Sequence, residues 1–291
     1  MPARKPYPTR LPAEFYVESD DFIDNYIDVK PGHHFSAIGP NGGGKTHFLM
    51  RLMGKLHELH PETRGVMLMM KPDKGPKDAP RGTTGDPAVS RLARSLKAPI
   101  TRSWPPNAGQ KALHPRDETP FWVHWPKHSD SFRADKVRHR DEFERALLDA
   151  YNRGRTYVFA DEVFSLTNTY RLGDVLEHLW SKARSMETSL IGATQRPAGV
   201  PRWMYSSARH LLLYRDNDRE ARKRYADISG MDPARLLAIT DGLRTFEMPR
   251  KPGQTEPDLV REALYVHPET ETLAIVMPSG GRVTNRQIVR R

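Results

Sequence analysis

The sequence predicts an α/β fold in which a parallel central sheet carries helices on both faces and a small C-terminal appendage follows. Three observations predict it. Short runs at 34–38, 65–70, 156–160 and 189–194 are apolar enough to be strands covered on both sides. Between and after them, 45–60, 131–152 and 171–186 repeat apolar residues at helical spacing. Finally, 39–46 fits G-x-x-x-x-G-K-[ST] at every fixed position, between the first of these strands and the first of these helices.

That last stretch organises the chain. Gly39, Gly42, Gly43 and Gly44, with Pro40 and Asn41 between, let successive backbone N–H groups turn inward around a phosphate chain. Lys45 is placed to reach the β- and γ-phosphates, Thr46 to hold Mg²⁺ through its hydroxyl, and His47 is expected to bind the nucleotide together with the loop. Phe48, Leu49, Leu52 and Met53 supply that helix with an apolar face, and Pro61 stops it. The chain is expected to bind ATP with Mg²⁺.

Upstream, 1–13 is polar and proline-rich, an arm, and short strands are expected at 15–17 and 26–29. Downstream of the 65–70 strand the composition changes. Nine prolines fall in 71–120, where only 87–96 reads as helical, so this section is expected to be an irregular basic insertion. Residues 81–140 hold twelve Lys/Arg against five Asp/Glu, with Trp104, Phe121, Trp122 and Trp125 nearby. Basic residues mixed with aromatics suit contact with nucleic acid. The alternative is a solvated insertion whose tryptophans pack on the domain. A strand follows at 121–125, and the four histidines around it (His114, His124, His128 and His139) lack a metal-binding spacing.

The strand 156–160 ends in Asp161 and Glu162. Two carboxylates at the carboxyl edge of a parallel sheet stand where ligands bind. Asp161 is expected to bind Mg²⁺ through water opposite Thr46, and Glu162 to act as general base on the attacking water. The strand 189–194 ends in Gln195, whose amide can touch both the γ-phosphate and that water.

Lys182-Ala183-Arg184-Ser185, followed by Leu190-Ile191-Gly192-Ala193-Thr194-Gln195-Arg196-Pro197, resembles the FtsK/HerA superfamily of DNA-pumping ATPases. Lys71-Pro72-Asp73-Lys74-Gly75 resembles its D-x-K-G motif loosely, and 206–215 its next strand. The resemblance implies a RecA-like core of the ASCE class of P-loop NTPases, with the sensor strand lying between the Walker A and Walker B strands. It further implies a homo-oligomeric ring that translocates double-stranded DNA, with ATP between subunits. Arg184 is then the first choice for an arginine finger acting on the next subunit's ATP. The alternative is a helix-surface arginine paired with Glu177 or Glu187, and Arg196, Arg202 and Arg209 are the runners-up. With neither the family's membrane helices nor its long N-terminal barrel, the chain looks most like a viral genome-packaging ATPase docking on a capsid portal or another protein. A plasmid or conjugative DNA-transfer ATPase and a nucleotide-dependent assembly switch are the alternatives.

The P-loop domain is expected over 14–250, and 251–291 to form a hairpin and a basic tail with Arg282, Arg286, Arg290 and Arg291. The bulk numbers agree with this picture. The net charge of +10 favours a polyanionic partner. The absence of cysteine excludes disulfides and Cys-ligated metal. No apolar run reaches the roughly 20 residues that span a bilayer, and the N-terminus lacks a signal-peptide core, so a soluble cytoplasmic protein is expected.

Overall fold

The structure is a computed structural model that describes residues 10–72, 87–106, 121–195, 201–250 and 256–283. Most of the N-terminal arm lies outside them. So do Asp73, Lys74 and Gly75 of the D-x-K-G likeness, His114, Arg196, Pro197, and Arg286, Arg290 and Arg291 of the tail.

The strands are β1 (Tyr16–Glu18), β2 (Phe35–Ile38), β3 (Arg64–Leu68), β4 (Ile100–Thr101), β5 (Phe121–His124), β6 (Thr156–Ala160), β7 (Ser189–Thr194), β8 (His210–Tyr214), β9 (Thr245–Glu247), β10 (Leu259–Arg261), β11 (Ala263–His267), β12 (Thr272–Met277) and β13 (Arg282–Val283). Ten form one sheet in the order β1-β12-β11-β8-β2-β7-β6-β3-β5-β4, and β10-β9-β13 form a second. From β8 to β4 every pairing is parallel, and β11 joins β8 antiparallel.

Side chains alternate along each strand, so each face of the sheet has its own core. Phe35, Ala37, Met67, Phe159 and Ile191 point to one face, where Phe48, Leu49, Leu52 and Met53 of the helix Lys45–Leu59 cover them. Ile38, Val66, Leu68, Val158 and Leu190 point to the other. There the helix Phe132–Arg153 brings Phe143, Ala146 and Leu147, and the helix Gly173–Lys182 brings Leu176 and Leu179. The polypeptide spacing is tight where β3 meets β5: a Cβ on Gly65 would stand 2.2 Å from the Phe121 ring. Gly65→Ala is therefore expected to destabilise the fold by about 1–3 kcal/mol, the usual cost of overpacking, measurable by urea denaturation.

Three expectations change. Residues 22–26 form a π-helical turn rather than leading into a strand at 26–29, because Phe22 and Ile23 are both buried while Tyr26 is 68% exposed. The four aromatics singled out in the basic section are not available to nucleic acid, whereas Phe132 in the same section is 71% exposed. Trp104, Phe121, Trp122 and Trp125 are all buried in the two cores, so the tryptophans pack on the domain. The C-terminal hairpin β11–β12 is a continuation of the central sheet, with Leu264 opposite Leu213 and Tyr265 opposite Leu212. No helix among the described residues is long and apolar enough to cross a membrane.

Candidate active site

The parallel strands β2, β6 and β7 end at one edge of the sheet, and the loops leaving them converge there. β7 lies between β2 and β6, with Thr194 in register with Ile38 and Gly192 with Ala160. That order is the one the FtsK/HerA resemblance implied.

The chain leaves β2 through Gly39, whose N–H donates to Thr194 O at 3.2 Å. A Cβ on Gly39 would stand 2.5 Å from Cβ of Tyr214, and one on Gly44, at φ +99°, would stand 2.7 Å from a methyl of Val260. Only glycine permits this loop so close to its neighbours. The helix begins at Lys45 with no side-chain cap, which leaves its first N–H groups to an anion. Asn41, Gly42 and His47 are exposed on the loop, Thr46 is half-buried, and Lys45 is buried. Lys45 Nζ donates to the carbonyls of Gly39 at 2.6 Å and Pro40 at 2.8 Å. Burial lowers its pKa to about 8, against the pull of Glu162 and Asp216. A phosphate chain cradled by the loop would restore the full ammonium, because an adjacent anion favours the charged form.

Asp161 is 3% exposed and stands just past β6. Its Oδ1 accepts from Met70 N at 3.4 Å, and Lys71 Nζ lies 3.8 Å from its Oδ2. Glu162 Oε1 accepts from the main-chain N–H of Phe164 at 3.2 Å and of Gln195 at 3.4 Å. Burial raises the Glu162 pKa, while those N–H groups, the Thr194 side chain and Lys45 favour its charged form. So Lys45, Glu162 and Gln195 form one connected group, with Asp161 beside them.

The residues fit Mg²⁺. Asp161 and Thr46 offer the hard oxygen donors it takes, and among the described residues no group of three or more His, Asp or Glu could hold a metal alone. Thr46 and Asp161 would hold such an ion, which would supply charge neutralisation for the phosphates.

Arg184 is apart from this group. It lies in the 3-10 turn Ala183–Met186 that precedes β7, and its backbone carbonyl would be 3.0 Å from a Cβ on Gly32, just before β2. That is the opposite edge of the sheet, separated from the phosphate loop by the length of a strand, roughly 20 Å. Arg184 is exposed, and Glu187 is occupied by Arg155 Nε at 2.5 Å. Arg209 is committed within the chain, to His33 at 2.7 Å and Glu269 at 2.6 Å, whereas Arg202 is exposed.

Two further residues reach the loop from distant parts of the sequence. Asp216 follows β8, is buried, and favours the charged form of Lys45. Arg261 ends β10: its N–H donates to Gly43 O at 3.3 Å, and its guanidinium to Arg215 O at 3.2 Å. Burial and Arg215 lower the Arg261 pKa. The only local signal for Asp216 is a carboxylate two residues past the apolar run that ends at Tyr214, and nothing local marks Arg261.

No protein-family model and no curated relative matches the sequence. Solved structures do. The genome packaging NTPase B204 from Sulfolobus turreted icosahedral virus 2, in complex with ATP-gammaS, is 12% identical over 86% of this chain and 99% of its own, with a TM-score of 0.52. The DNA-packaging ATPase B204 from Sulfolobus Turreted Icosahedral Virus gives 12% identity over the same shares and a TM-score of 0.50. VirB4 of Thermoanaerobacter pseudethanolicus gives 13% identity over 84% of this chain and 89% of its own, with a TM-score of 0.51. At these identities the likeness is one of fold, and the fold of this chain is that of a P-loop NTPase.

Proposed function

We propose that this chain is an ATP-hydrolysing motor that assembles into a homo-oligomeric ring, translocates double-stranded DNA, and serves to package a viral genome. The observation that carries it is the link from Gln195 N–H to the Glu162 carboxylate across β7 and β6. A base beside a phosphate loop, tied to the tip of the neighbouring strand, suits hydrolysis coupled to strand movement. A mere assembly switch needs no such base. Packaging is favoured by the likeness to two structures whose names state that role. A plasmid or conjugative DNA-transfer ATPase is the second reading, since the same site serves both.

The net charge of +10 supports a duplex DNA partner gripped through its phosphates. With those tryptophans buried, the grip falls mainly to Lys and Arg. Double-stranded DNA should raise the ATPase rate at low salt, single strands should do so less, and the effect should fade near ~0.2 M salt as counterion release loses its drive. A portal or other docking protein that closes the ring should increase the stimulation. Turnover indifferent to duplex DNA, with and without capsid components, sinks translocation and leaves the switch.

A further inference from the structure

The helix Phe132–Arg153 keeps its first carboxylates inside and its first cations outside. Asp135 is buried: it accepts from the main-chain N–H of Ser129 at 2.7 Å and from the Ser129 hydroxyl at 2.9 Å, and pairs with Arg138 at 2.6 Å. Glu142 is buried too, 3.7 Å from the His124 ring. The remaining carboxylates, Asp141, Glu144 and Asp149, all follow Arg140. The outer side of the first two turns is left to cations. Arg133, Lys136 and Arg140 stand at i, i+3 and i+7, so they line one stripe. None of the three has an ion-pair partner among the described residues. Phe132 and Val137, the latter 64% exposed, flank them.

We propose that this stripe grips the backbone of duplex DNA, with Arg133, Lys136 and Arg140 on phosphates and Phe132 and Val137 against sugars and base edges. The inference rests on the DNA reading of the chain and names its contact surface. Charge selects the occupant: unpaired cations gathered on one side of a helix attract a polyanion and repel a second copy of the same stripe. From Arg133 to Arg140 the helix advances ~10 Å. The major groove is ~12 Å wide, so the two ends of the stripe can reach phosphates of both strands. The inner side of the same helix meets the catalytic loop. His139 and Phe143 pack on the Tyr170 ring, with centroids 6.3 Å and 5.1 Å away, and Tyr170 closes the turn Ser165–Thr169 that follows Glu162. A duplex on the stripe would be one helix away from the segment that carries Glu162.

Binding of the full chain to a fluorescent duplex of mixed sequence, followed across a salt series, tests this. Arg133→Gln, Lys136→Gln and Arg140→Gln combined should weaken binding at least about tenfold at low salt. They should also flatten the slope of log affinity against log salt by about 2–3, the counterions of three phosphate contacts. Lys30→Gln, Lys55→Gln and Arg64→Gln combined remove equal charge elsewhere and should leave that slope near wild type. Phe132→Ala should weaken binding about threefold at unchanged slope, because an apolar contact releases no counterions. A wild-type slope in the stripe variant, or an equal loss in the other triple variant, overturns the inference and leaves the DNA reading standing. A second measurement needs no charge removed. With p-benzoylphenylalanine in place of Phe132, light should crosslink the chain to the duplex. Crosslinks confined to another copy of the chain make the stripe a subunit interface and overturn the inference. If the wild-type chain binds no duplex even at low salt, the DNA reading fails and takes the inference with it.

Discussion

Arg184→Ala should leave ATP binding nearly intact and lower hydrolysis by up to roughly 10³, the scale of a lost arginine finger. The position of Arg184 sharpens this expectation. It lies at the sheet edge opposite the loop of its own chain, a strand's length away, so it cannot reach its own γ-phosphate. As a finger it would have to act on another copy. Its exposure and the engagement of Glu187 by Arg155 leave it available for that. Mixing variants tests the direction of action. Arg184→Ala protein combined with Glu162→Gln protein creates one kind of interface that retains both groups, and part of the activity should return. No recovery at any ratio, with mixed rings demonstrated, excludes a finger acting between subunits.

Glu162→Gln should still bind ATP but hydrolyse it slower by about 10² or more, the scale of a lost general base. The amide can keep accepting from Phe164 N and Gln195 N, so the loop should stay in place, and the loss should fall on kcat rather than KM. The pH profile adds an independent signature. A base works only when deprotonated, so activity is present above the Glu162 pKa and lost below it. Burial raises that pKa, so the acid limb of wild-type kcat should lie above the ordinary carboxylate range. The residual activity of Glu162→Gln should lack that limb. Near wild-type turnover in the variant would remove Glu162 from the mechanism.

The parts of the site legible in the sequence are those encoded within a few residues of one another. The run from Phe35 to Met53 carries its own strand, glycine turn and helical face, and the structure has β2 and the helix Lys45–Leu59 there. Asp161, Glu162 and Gln195 were legible because polar residues directly after apolar strands fall on the edge where loops meet. The helices at 132–153 and 173–182 followed from apolar spacing within each segment, because a helix buries one face whatever lies beyond it.

What the tertiary structure alone decided is which segments meet. Periodicity shows how much of a segment is buried but not against what, so the tryptophans beside the basic section could be read either as stacking platforms or as core. Packing on both sheet faces made them core. Likewise the hairpin at 263–277 read as an appendage because its alternation is local, yet β8 had an open edge and apolar faces to extend, and β11 pairs with it. That pairing brings β10 over the loop and Arg261 to Gly43, more than 200 residues away in sequence. Arg184 shows the same division. Its motif is local, but which edge of the sheet it occupies depends on β7 lying beside β2, a contact set by the burial of both strands and by no residue near Arg184 itself.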